Sequence, residues 1–573
     1  MLDKVIRGGD VVDGTGGARR RADVGIEGDR VVAVGTVEAE AATTIDATGK
    51  LVTPGFVDVH THFDAQVFWD GALTPSPLHG VTTALAGNCG FTIAPLSDDP
   101  DDGEYLMRML ARVEGMPLES LREGVPWNWK STAEYFDGIE GNLGINAGFM
   151  IGHSALRRVV MGEESVAREA KADEIDAMLA LLRAGLEAGG FGFSSSWART
   201  HNDADGHMVP SRFATHDEIV TLSAALRDFE GTSLEFIPMV GPQFEPWAVE
   251  LMADMSAAAQ RPLNWNVLGV NARNTADVEL KLQAGDYART KGARVVALTV
   301  PMSFPVRLSF RSGFILDAMP GWEDVMLLPL EEKLAVFRDP DALARLDEQA
   351  QSEANALPMM AKWGNFVIWD VFAPENEQYR GRRVGDIAEA EGRSSWELLT
   401  SIALADDLKT SFGTVPVVDS DDDWKARIDV WRDRRALIGA SDAGAHLDLL
   451  ASFNYATEVL GKAVRERQLL SFEEAVHLIT QVPAELYGLR DRGVVREGAY
   501  ADLVVLDPTT VGSQDVHMRV DLPGDAPRLY AGADGIEHVL VNGTAIVDGG
   551  ELTGSRSGTL LRSGRDSATA PMV

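Results

Sequence analysis

Two histidines separated by one residue, His60 and His62, are the side chains of this sequence that most directly suggest metal chemistry. They end the segment LVTPGFVDVHTHFD, whose apolar run predicts a short strand. Alternate residues of a strand point to the same side, so both imidazoles are expected to face one cavity. Paired imidazoles suit Zn²⁺ or a similar ion. The competing interpretation is a pair of strand-end histidines that hydrogen-bond to backbone or water.

Cys89, the single cysteine of the chain, lies in the turn GNCG, directly after the apolar run VTTALA. A thiol in a glycine-flanked turn is expected to be accessible at the end of its strand, and a thiolate there suits Zn²⁺. Two alternatives remain open. Cys89 is either a small buried hydrophobic residue or a nucleophile that requires a histidine base nearby.

Two further strand ends carry polar side chains. The segment ASDAGAH supplies Asp442 and His446, and a carboxylate at this position can bind a metal and accept a proton from water. Its alternative is a helix N-cap or turn residue, a role for which Ser441 competes. The segment GHSALR supplies His153, a candidate for stabilising an oxyanion, and Arg157, which either pairs with a substrate carboxylate or has a structural role.

These strand ends belong to a repeating pattern of strands and helices. Eight apolar strand candidates alternate with helical segments such as KADEIDAMLALLRAGLEAG, which predicts a (β/α)₈ TIM barrel of the α/β class. The candidates are GFVDVHTHFD, GVTTALAGNCG, INAGFMIGHS, GGFGFSSS, TSLEFIPM, PLNWNVLG, ARVVALTV and RALIGASDAG. Active residues of such barrels lie at the carboxyl ends of the strands, where the polar residues above occur.

The two ends of the chain have a different texture. Residues 1–54 and 490–562 read as short strands separated by Gly/Asp turns, which predicts a small β-sandwich domain built from both termini. The barrel is expected over residues 55–489. An insertion at about 302–435, between strands seven and eight, is a candidate lid over the barrel mouth. Residues 563–573 are expected to form a flexible tail.

The charge balance restricts the classes of partner. The 573 residues include 52 Lys+Arg and 87 Asp+Glu, a net charge of −35, which argues against nucleic acid or an anionic membrane as the main partner. One cysteine allows no intrachain disulfide, and we find neither a signal peptide nor a run of about 18 apolar residues. We therefore expect a cytoplasmic protein that binds a small molecule. The oligomeric state is open, with a homo-oligomer as one alternative.

Taken together, the segments DATGKLVTPGFVDVHTHFD, GVTTALAGNCGF, GHSALR, IGASDAGAH and GVVREGAYADLVVLDP resemble the N-acyl-D-amino-acid deacylase (D-aminoacylase) family of the amidohydrolase superfamily over nearly the whole chain. The resemblance implies a TIM barrel with a terminal β-sandwich and zinc at the barrel mouth. It assigns His60, His62, Cys89 and Asp442 to the metal and catalytic set. It also implies that activated water attacks an amide carbonyl, while Asp442 carries the proton to the leaving amine.

The sequence departs from the family at strands five and six, where the family places a histidine in each. Here these strands read GTSLEFIPM and RPLNWNVLG, so that Glu235 is a candidate oxygen ligand and Asn266 a candidate substrate contact. We expect one or two zinc ions, with another divalent metal as the alternative. The loop WARTHNDADGHMVPS holds His201 and His207; we favour a polar surface loop, the alternative being contacts with ligand or substrate. His446 is a further candidate for substrate binding.

The leading hypothesis is metal-dependent hydrolysis of a C–N amide bond in a small N-acylated compound, such as an N-acyl (D-)amino acid. The same site admits a cyclic amide or imide, a lactone, an ester or a carbamate as the substrate. A hypothesis of another class is a non-catalytic binding protein with a decayed metal site, because fold alone does not determine function. The presence of all four implied site residues argues against decay.

Overall fold

The computed structural model describes residues 1–239, 241, 243–313, 315–355, 357–415 and 418–572 of the chain. The strands of these residues are, in chain order, β1 (Leu2–Val11), β2 (Arg20–Glu27), β3 (Arg30–Gly35), β4 (Ala41–Asp46), β5 (Leu51–Pro54), β6 (Phe56–Asp58), β7 (Val81–Ala86), β8 (Asn146–Phe149), β9 (Ile151–Gly152), β10 (Gly192–Ser196), β11 (Ser233–Ile237), β12 (Leu263–Leu268), β13 (Val295–Thr299), β14 (Arg307–Leu308), β15 (Val367–Asp370), β16 (Ser411–Gly413), β17 (Ala436–Ile438), β18 (Leu503–Leu506), β19 (Gly512–Ser513), β20 (His517–Leu522), β21 (Ala526–Tyr530), β22 (Ala533–Asp534), β23 (Ile536–Val541), β24 (Thr544–Asp548) and β25 (Glu551–Leu552).

The α-helices of the same residues are α1 (Gln66–Trp69), α2 (Pro100–Val113), α3 (Leu118–Gly124), α4 (Thr132–Ile139), α5 (His153–Met161), α6 (Ala172–Glu187), α7 (His216–Ala224), α8 (Pro246–Ala259), α9 (Thr275–Thr290), α10 (Glu323–Met326), α11 (Leu330–Arg338), α12 (Pro340–Ala350), α13 (Val384–Glu391), α14 (Ser395–Ala405), α15 (Asp421–Trp431), α16 (Tyr455–Glu458), α17 (Phe472–Ile479) and α18 (Gln481–Leu486). Short 3₁₀ turns and a π-helix at Val459–Glu466 complete the set. None of these helices combines the length and apolar character required to span a membrane.

Each of the eight predicted central strands is present, and the strands that pair with one another are parallel. One sheet has the order β6-β7-β8 and another the order β17-β13-β12-β11-β10-β9. The segment INAGFMIGHS holds both β8 and β9, separated at Met150. Beyond their last residues β17 and β6 also meet, since the His62 N–H donates to the Ala443 carbonyl at 2.7 Å. The arrangement is an α/β fold.

Both termini contribute to one mixed sheet of nine strands. Its order is β25-β24-β23-β18-β5-β1-β2-β3, with β4 paired to β1. A separate cluster of buried aliphatic side chains holds it together, among them Ile6, Val24, Val52, Leu503 and Leu540. Residues near both ends of the chain are therefore neighbours, as the repeated pattern of short strands predicts.

The long segment between β13 and β17 forms helices α10–α15 and the small antiparallel sheet β14-β16-β15. It has its own apolar core, in which the rings of Phe310, Trp322, Trp363, Trp396 and Phe412 contact one another. A segment with its own core can be inserted between two strands without disturbing their packing.

Residues 563–573 are expected to form a flexible tail, but the described part of this segment packs against the rest of the chain. Val573 lies outside the described residues. Ser567 is fully buried and its hydroxyl donates to the Gly231 carbonyl at 2.7 Å. The Ala568 N–H donates to the Gly488 carbonyl at 2.8 Å. The polar composition of the segment predicted fraying, but its backbone and hydroxyl groups find partners on neighbouring loops.

Candidate metal centre

His60 and His62 follow β6, where the chain passes the end of β17. Both side chains are buried, and their ring centroids are 5.2 Å apart. Their Nε2 atoms lie 3.4 and 3.1 Å from the same oxygen, Asp442 Oδ1. The alternation of the strand therefore places both imidazoles on one side, as the sequence predicts.

Cys89 lies in the 3₁₀ turn Asn88–Gly90, after β7. Its φ of 59° is in the left-handed region, which few residues other than glycine adopt and which is a feature of many functional sites. Its Sγ lies 3.5 Å from His60 Nε2 and 3.8 Å from His62 Nε2. The thiol is thus buried and directed at the two imidazoles, and these three residues form a group able to hold a metal ion.

Buried side chains fix the turn that carries Cys89. The Gly87 N–H donates to Asp64 Oδ2 at 3.0 Å, the Cys89 N–H to Glu235 Oε2 at 2.7 Å, and the Gly90 N–H to Ser194 Oγ at 3.0 Å. A Cβ on Gly87 would lie 2.7 Å from the Met150 carbonyl oxygen, so a larger residue does not fit. The glycine explains why the turn can approach the neighbouring strand so closely.

Asp442, in the segment after β17, lies beside this group. Its Oδ1 faces the two imidazoles, and its Oδ2 lies 3.5 Å from His446 Nε2. Burial opposes ionisation of this carboxyl group, but the hydrogen bonds from His60 and His62 outweigh burial and hold the Asp442 pKa well below its usual range. The backbone φ is 58°, again left-handed.

The donor atoms of His60, His62 and Cys89 form one group able to hold a metal ion, and Asp442 Oδ1 lies beside both imidazoles. With metal–N and metal–O bonds of about 2.0–2.1 Å and a metal–S bond of about 2.3 Å, tetrahedral ligand atoms lie about 3.3 Å apart for N and O and about 3.6 Å apart for N and S. The observed separations are 3.1 and 3.4 Å for the N–O pairs and 3.5 and 3.8 Å for the N–S pairs. The residues present therefore suit a cation with nitrogen, sulfur and oxygen ligands.

The electrostatics of the site also favour a cation. Burial raises the Cys89 pKa well above its usual range, and the carboxylates of Glu235, Glu114, Asp442 and Asp64 raise it further. A bound divalent cation reverses this effect, because it stabilises the thiolate directly. Several buried carboxylates around one thiol are costly without a positive charge among them.

Glu235, the predicted oxygen ligand, lies beside the group with both of its oxygens engaged. Oε2 accepts the Cys89 N–H, and Oε1 accepts Asn266 Nδ2 at 2.8 Å. Burial raises the Glu235 pKa to about 8, although these hydrogen bonds oppose the rise. The structure therefore shows Glu235 supporting the Cys89 turn, and its role as an oxygen ligand stays a prediction.

A cavity of about 310 Å³ opens above the donor atoms. Of the predicted substrate-binding residues, Asn266, His201 and His446 line it. His201 is half-buried, its Nδ1 lies 2.7 Å from Ser196 Oγ, and desolvation lowers its pKa to about 3, so the ring is neutral. Among the described residues of the insertion, only Phe304 lines the cavity. The predicted lid therefore contributes little to the cavity walls.

Three predicted site residues lie elsewhere. His153 is buried, with Nδ1 2.8 Å from Ser195 Oγ and Nε2 3.0 Å from Glu218 Oε1, and Arg157 pairs with the same glutamate. The sequence places His153 at a strand end but does not specify that its ring turns away from the cavity. His207 is largely exposed and lies 3.7 Å from Asp203. His153, Arg157 and His207 do not line the cavity, so this geometry does not support the predicted catalytic role of His153 or the predicted substrate contacts of the other two.

Two residues that the sequence analysis did not single out do line the cavity. Glu114 follows α2, and its Oε1 lies 3.5 Å from His62 Nδ1. Lys281, on α9, forms no ion pair with the described residues, and burial lowers its pKa. The helical sequence around each residue has no feature that marks a functional site. Only the tertiary contacts show that the two residues line the cavity.

Comparisons of the sequence and the fold with known proteins identify related hydrolases. An amidohydrolase family model matches residues 43–547. The chain is 30% identical to an N-acyl-D-glutamate deacylase of Alcaligenes xylosoxydans xylosoxydans, over 100% of this chain and 98% of the relative. It is 27% identical to a D-aminoacylase of the same organism, over 98% and 97%. A solved D-aminoacylase, described as having a binuclear metal centre, superimposes with a TM-score of 0.63 at 26% identity, covering 98% of this chain and 100% of that one. The chain belongs to the amidohydrolase family.

Proposed function

We propose that this protein is a metal-dependent amidohydrolase that hydrolyses the C–N amide bond of a small N-acyl amino acid. The observation that carries the proposal is the convergence of His60 Nε2, His62 Nε2, Cys89 Sγ and Asp442 Oδ1 at the floor of a cavity. A cavity of about 310 Å³ is within the usual size range for small-molecule sites.

We propose a single Zn²⁺ as the ion, held by His60, His62 and Cys89, with Asp442 as the proposed fourth ligand. Zn²⁺ accepts imidazole, thiolate and carboxylate ligands together, whereas harder ions disfavour the thiolate. When bound, such an ion polarises a carbonyl group and lowers the pKa of water. Glu235 and Asn266 are occupied by their mutual hydrogen bond and by the Cys89 N–H, which argues against a second ion there.

Asp442 is proposed as the group that carries the proton. Its carboxylate has one oxygen among the donor atoms and the other toward His446, so it contacts both the metal side and the open cavity. Its low pKa keeps this carboxyl group ionised, as a proton acceptor must be. Transfer of that proton to the amine nitrogen lets the C–N bond break without expelling an amide anion.

Lys281 and His201 are proposed to orient the substrate. Lys281 lines the cavity and forms no ion pair with the described residues, its ammonium group lying 5.7 Å from the Phe244 ring centroid, in a chain whose net charge is −35. The carboxylate of an N-acyl amino acid is a natural partner for it. The neutral His201 ring lines the same cavity, where it can donate to or accept from the amide.

The names of the relatives suggest where to look for the substrate. One relative is an N-acyl-D-glutamate deacylase and another a D-aminoacylase, so we propose N-acyl-D-amino acids as the first series. We also propose that the eight parallel strands close into a (β/α)₈ barrel over residues 55–489, with a β-sandwich domain from residues 1–54 and 490–562. The hydrogen bonds between the ends of β17 and β6 support closure. The cytoplasm remains the proposed compartment, in keeping with one cysteine.

The test is hydrolysis of a panel of N-acetyl-D- and N-acetyl-L-amino acids by wild type and Asp442→Asn. We expect release of the free amino acid by wild type, loss of activity on chelation, and recovery with added Zn²⁺. Asp442→Asn should lower kcat by about 10²–10⁴-fold, as expected for loss of a general base. Equal activity of the variant, or hydrolysis that chelation leaves unchanged, contradicts the proposal.

A further inference from the structure

Glu114 lines the cavity on the Nδ1 side of His62. Its side chain is 4% exposed, and its Oε1 is 3.5 Å from His62 Nδ1. The other ring nitrogen of His62 faces Cys89 Sγ and Asp442 Oδ1. The imidazole of His62 therefore lies between a carboxylate on one side and the donor group on the other.

This placement matters because an imidazole has two nitrogens that compete for a metal. A histidine that binds metal through one nitrogen usually donates the N–H of the other to a carboxylate, which fixes both the tautomer and the ring orientation. The Glu114–His62 separation is that of an ion pair and exceeds the usual N–H···O distance of about 2.9 Å. Neither His62 Nδ1 nor His60 Nδ1 has a hydrogen-bond partner among the described residues, but only His62 Nδ1 has a carboxylate within ion-pair distance there.

The position of Glu114 is itself firmly held. Its N–H caps α2 by donating to the Leu110 carbonyl at 2.9 Å, and its carbonyl accepts the His446 N–H. Two ion pairs anchor the helix near its two ends, the buried pair of Arg158 with Asp102 and the partly exposed pair of Arg112 with Asp317, each at 2.5 Å. The second pair ties α2 to the insertion between β13 and β17. A carboxylate so placed can impose an orientation on the ring next to it.

We propose that Glu114 is a positioning residue that orients His62 through Nδ1, so that Nε2 is presented to the metal. The inference rests on the proposed function, since it assigns a role at the same site. It gives α2 and the insertion a function beyond packing, because they hold this carboxylate in place.

The test compares Glu114→Ala and Glu114→Gln with wild type. Glu104→Gln, an exposed change on the same helix, is the matched control. The readouts are the Kd for Zn²⁺, measured by competition with a chelator, and the absorption spectrum of the Co²⁺-substituted protein. We expect Glu114→Ala to bind Zn²⁺ about 10–100-fold more weakly and to shift the Co²⁺ bands. Glu114→Gln retains an acceptor oxygen and should lose less, about 10-fold, while the control matches wild type.

The outcomes separate the two proposals. If wild type binds no metal, the proposed function fails. If wild type binds metal and both Glu114 variants keep its Kd and its Co²⁺ spectrum, the positioning role of Glu114 is refuted while the metal centre stands. If Glu114→Ala does not fold, Glu114→Gln decides: a weaker Kd with shifted bands supports the role, and an unchanged spectrum overturns it.

Discussion

Replacing Glu235 gives a direct test of how the Cys89 turn is held. Glu235 accepts two N–H groups, from Cys89 and from Asn266, at 2.7 and 2.8 Å. Glu235→Ala leaves both donors buried without their acceptor. An unsatisfied buried donor costs about 1–3 kcal/mol, so the variant should lose about 2–6 kcal/mol of unfolding free energy.

Glu235→Gln should be much milder, for a reason visible in the structure. Its carbonyl oxygen can still accept the Cys89 N–H, and its NH₂ group then faces the Asn266 amide. Asn266 Oδ1 has no hydrogen-bond partner among the described residues, so an amide flip pairs the two side chains again. The loss should be about 1 kcal/mol, the usual net value of one hydrogen bond.

The assay is urea denaturation of both variants, together with metal analysis of the folded proteins. We expect Glu235→Gln to retain one ion per chain, because none of the four donor atoms has changed. A folded Glu235→Gln protein that has lost its metal would identify Glu235 as a ligand and refute this reasoning. So would a Glu235→Ala protein as stable as wild type.

Three further predictions test other contacts. Lys281→Met should raise KM for an N-acyl amino acid about 10–100-fold with little change in kcat, since a charged hydrogen bond contributes about 1.5–3 kcal/mol; an unchanged KM contradicts the assignment. Glu218→Gln should lower stability by about 3–5 kcal/mol, seen as a lower urea midpoint, because it leaves the fully buried Arg157 unpaired; an unchanged midpoint contradicts this account. Burial lowers the His79 pKa from 6.5 to about 4, so the unfolded chain binds a proton that the folded protein does not, and stability should fall by about 3 kcal/mol as pH drops through that window. His79→Asn should flatten this pH dependence of the urea midpoint, and an equally steep profile in the variant refutes the assignment.

The central strands could be predicted because each is a short apolar run that ends in a glycine or polar residue. The same reasoning places His60, Cys89 and Asp442 together, since the carboxyl ends of parallel strands meet at one edge of a sheet. It does not decide which way a strand-end side chain turns. His153 stands at such an end, yet its ring packs against Ser195 and Glu218, because the chain enters α5 at that residue.

The site residues contributed by helices could not be predicted from the pattern of strand ends. Glu114 contacts His62 across 52 positions of sequence, at the end of a helix whose pattern predicts only a buried face and an exposed face. Lys281 stands among the charged residues of α9, where a solvated position is the ordinary expectation. Such contacts depend on how helices pack over the strand ends, which local sequence does not encode.

We propose that a single metal ion is ligated by Cys89 together with two imidazoles and a carboxylate. The most direct measurement is metal content combined with the absorption spectrum of Co²⁺-substituted wild type and Cys89→Ser. We expect one ion per chain, with a thiolate-to-cobalt charge-transfer band in wild type that is absent from the variant. Active protein that contains no metal, or a Co²⁺ spectrum without a thiolate band, would contradict the account.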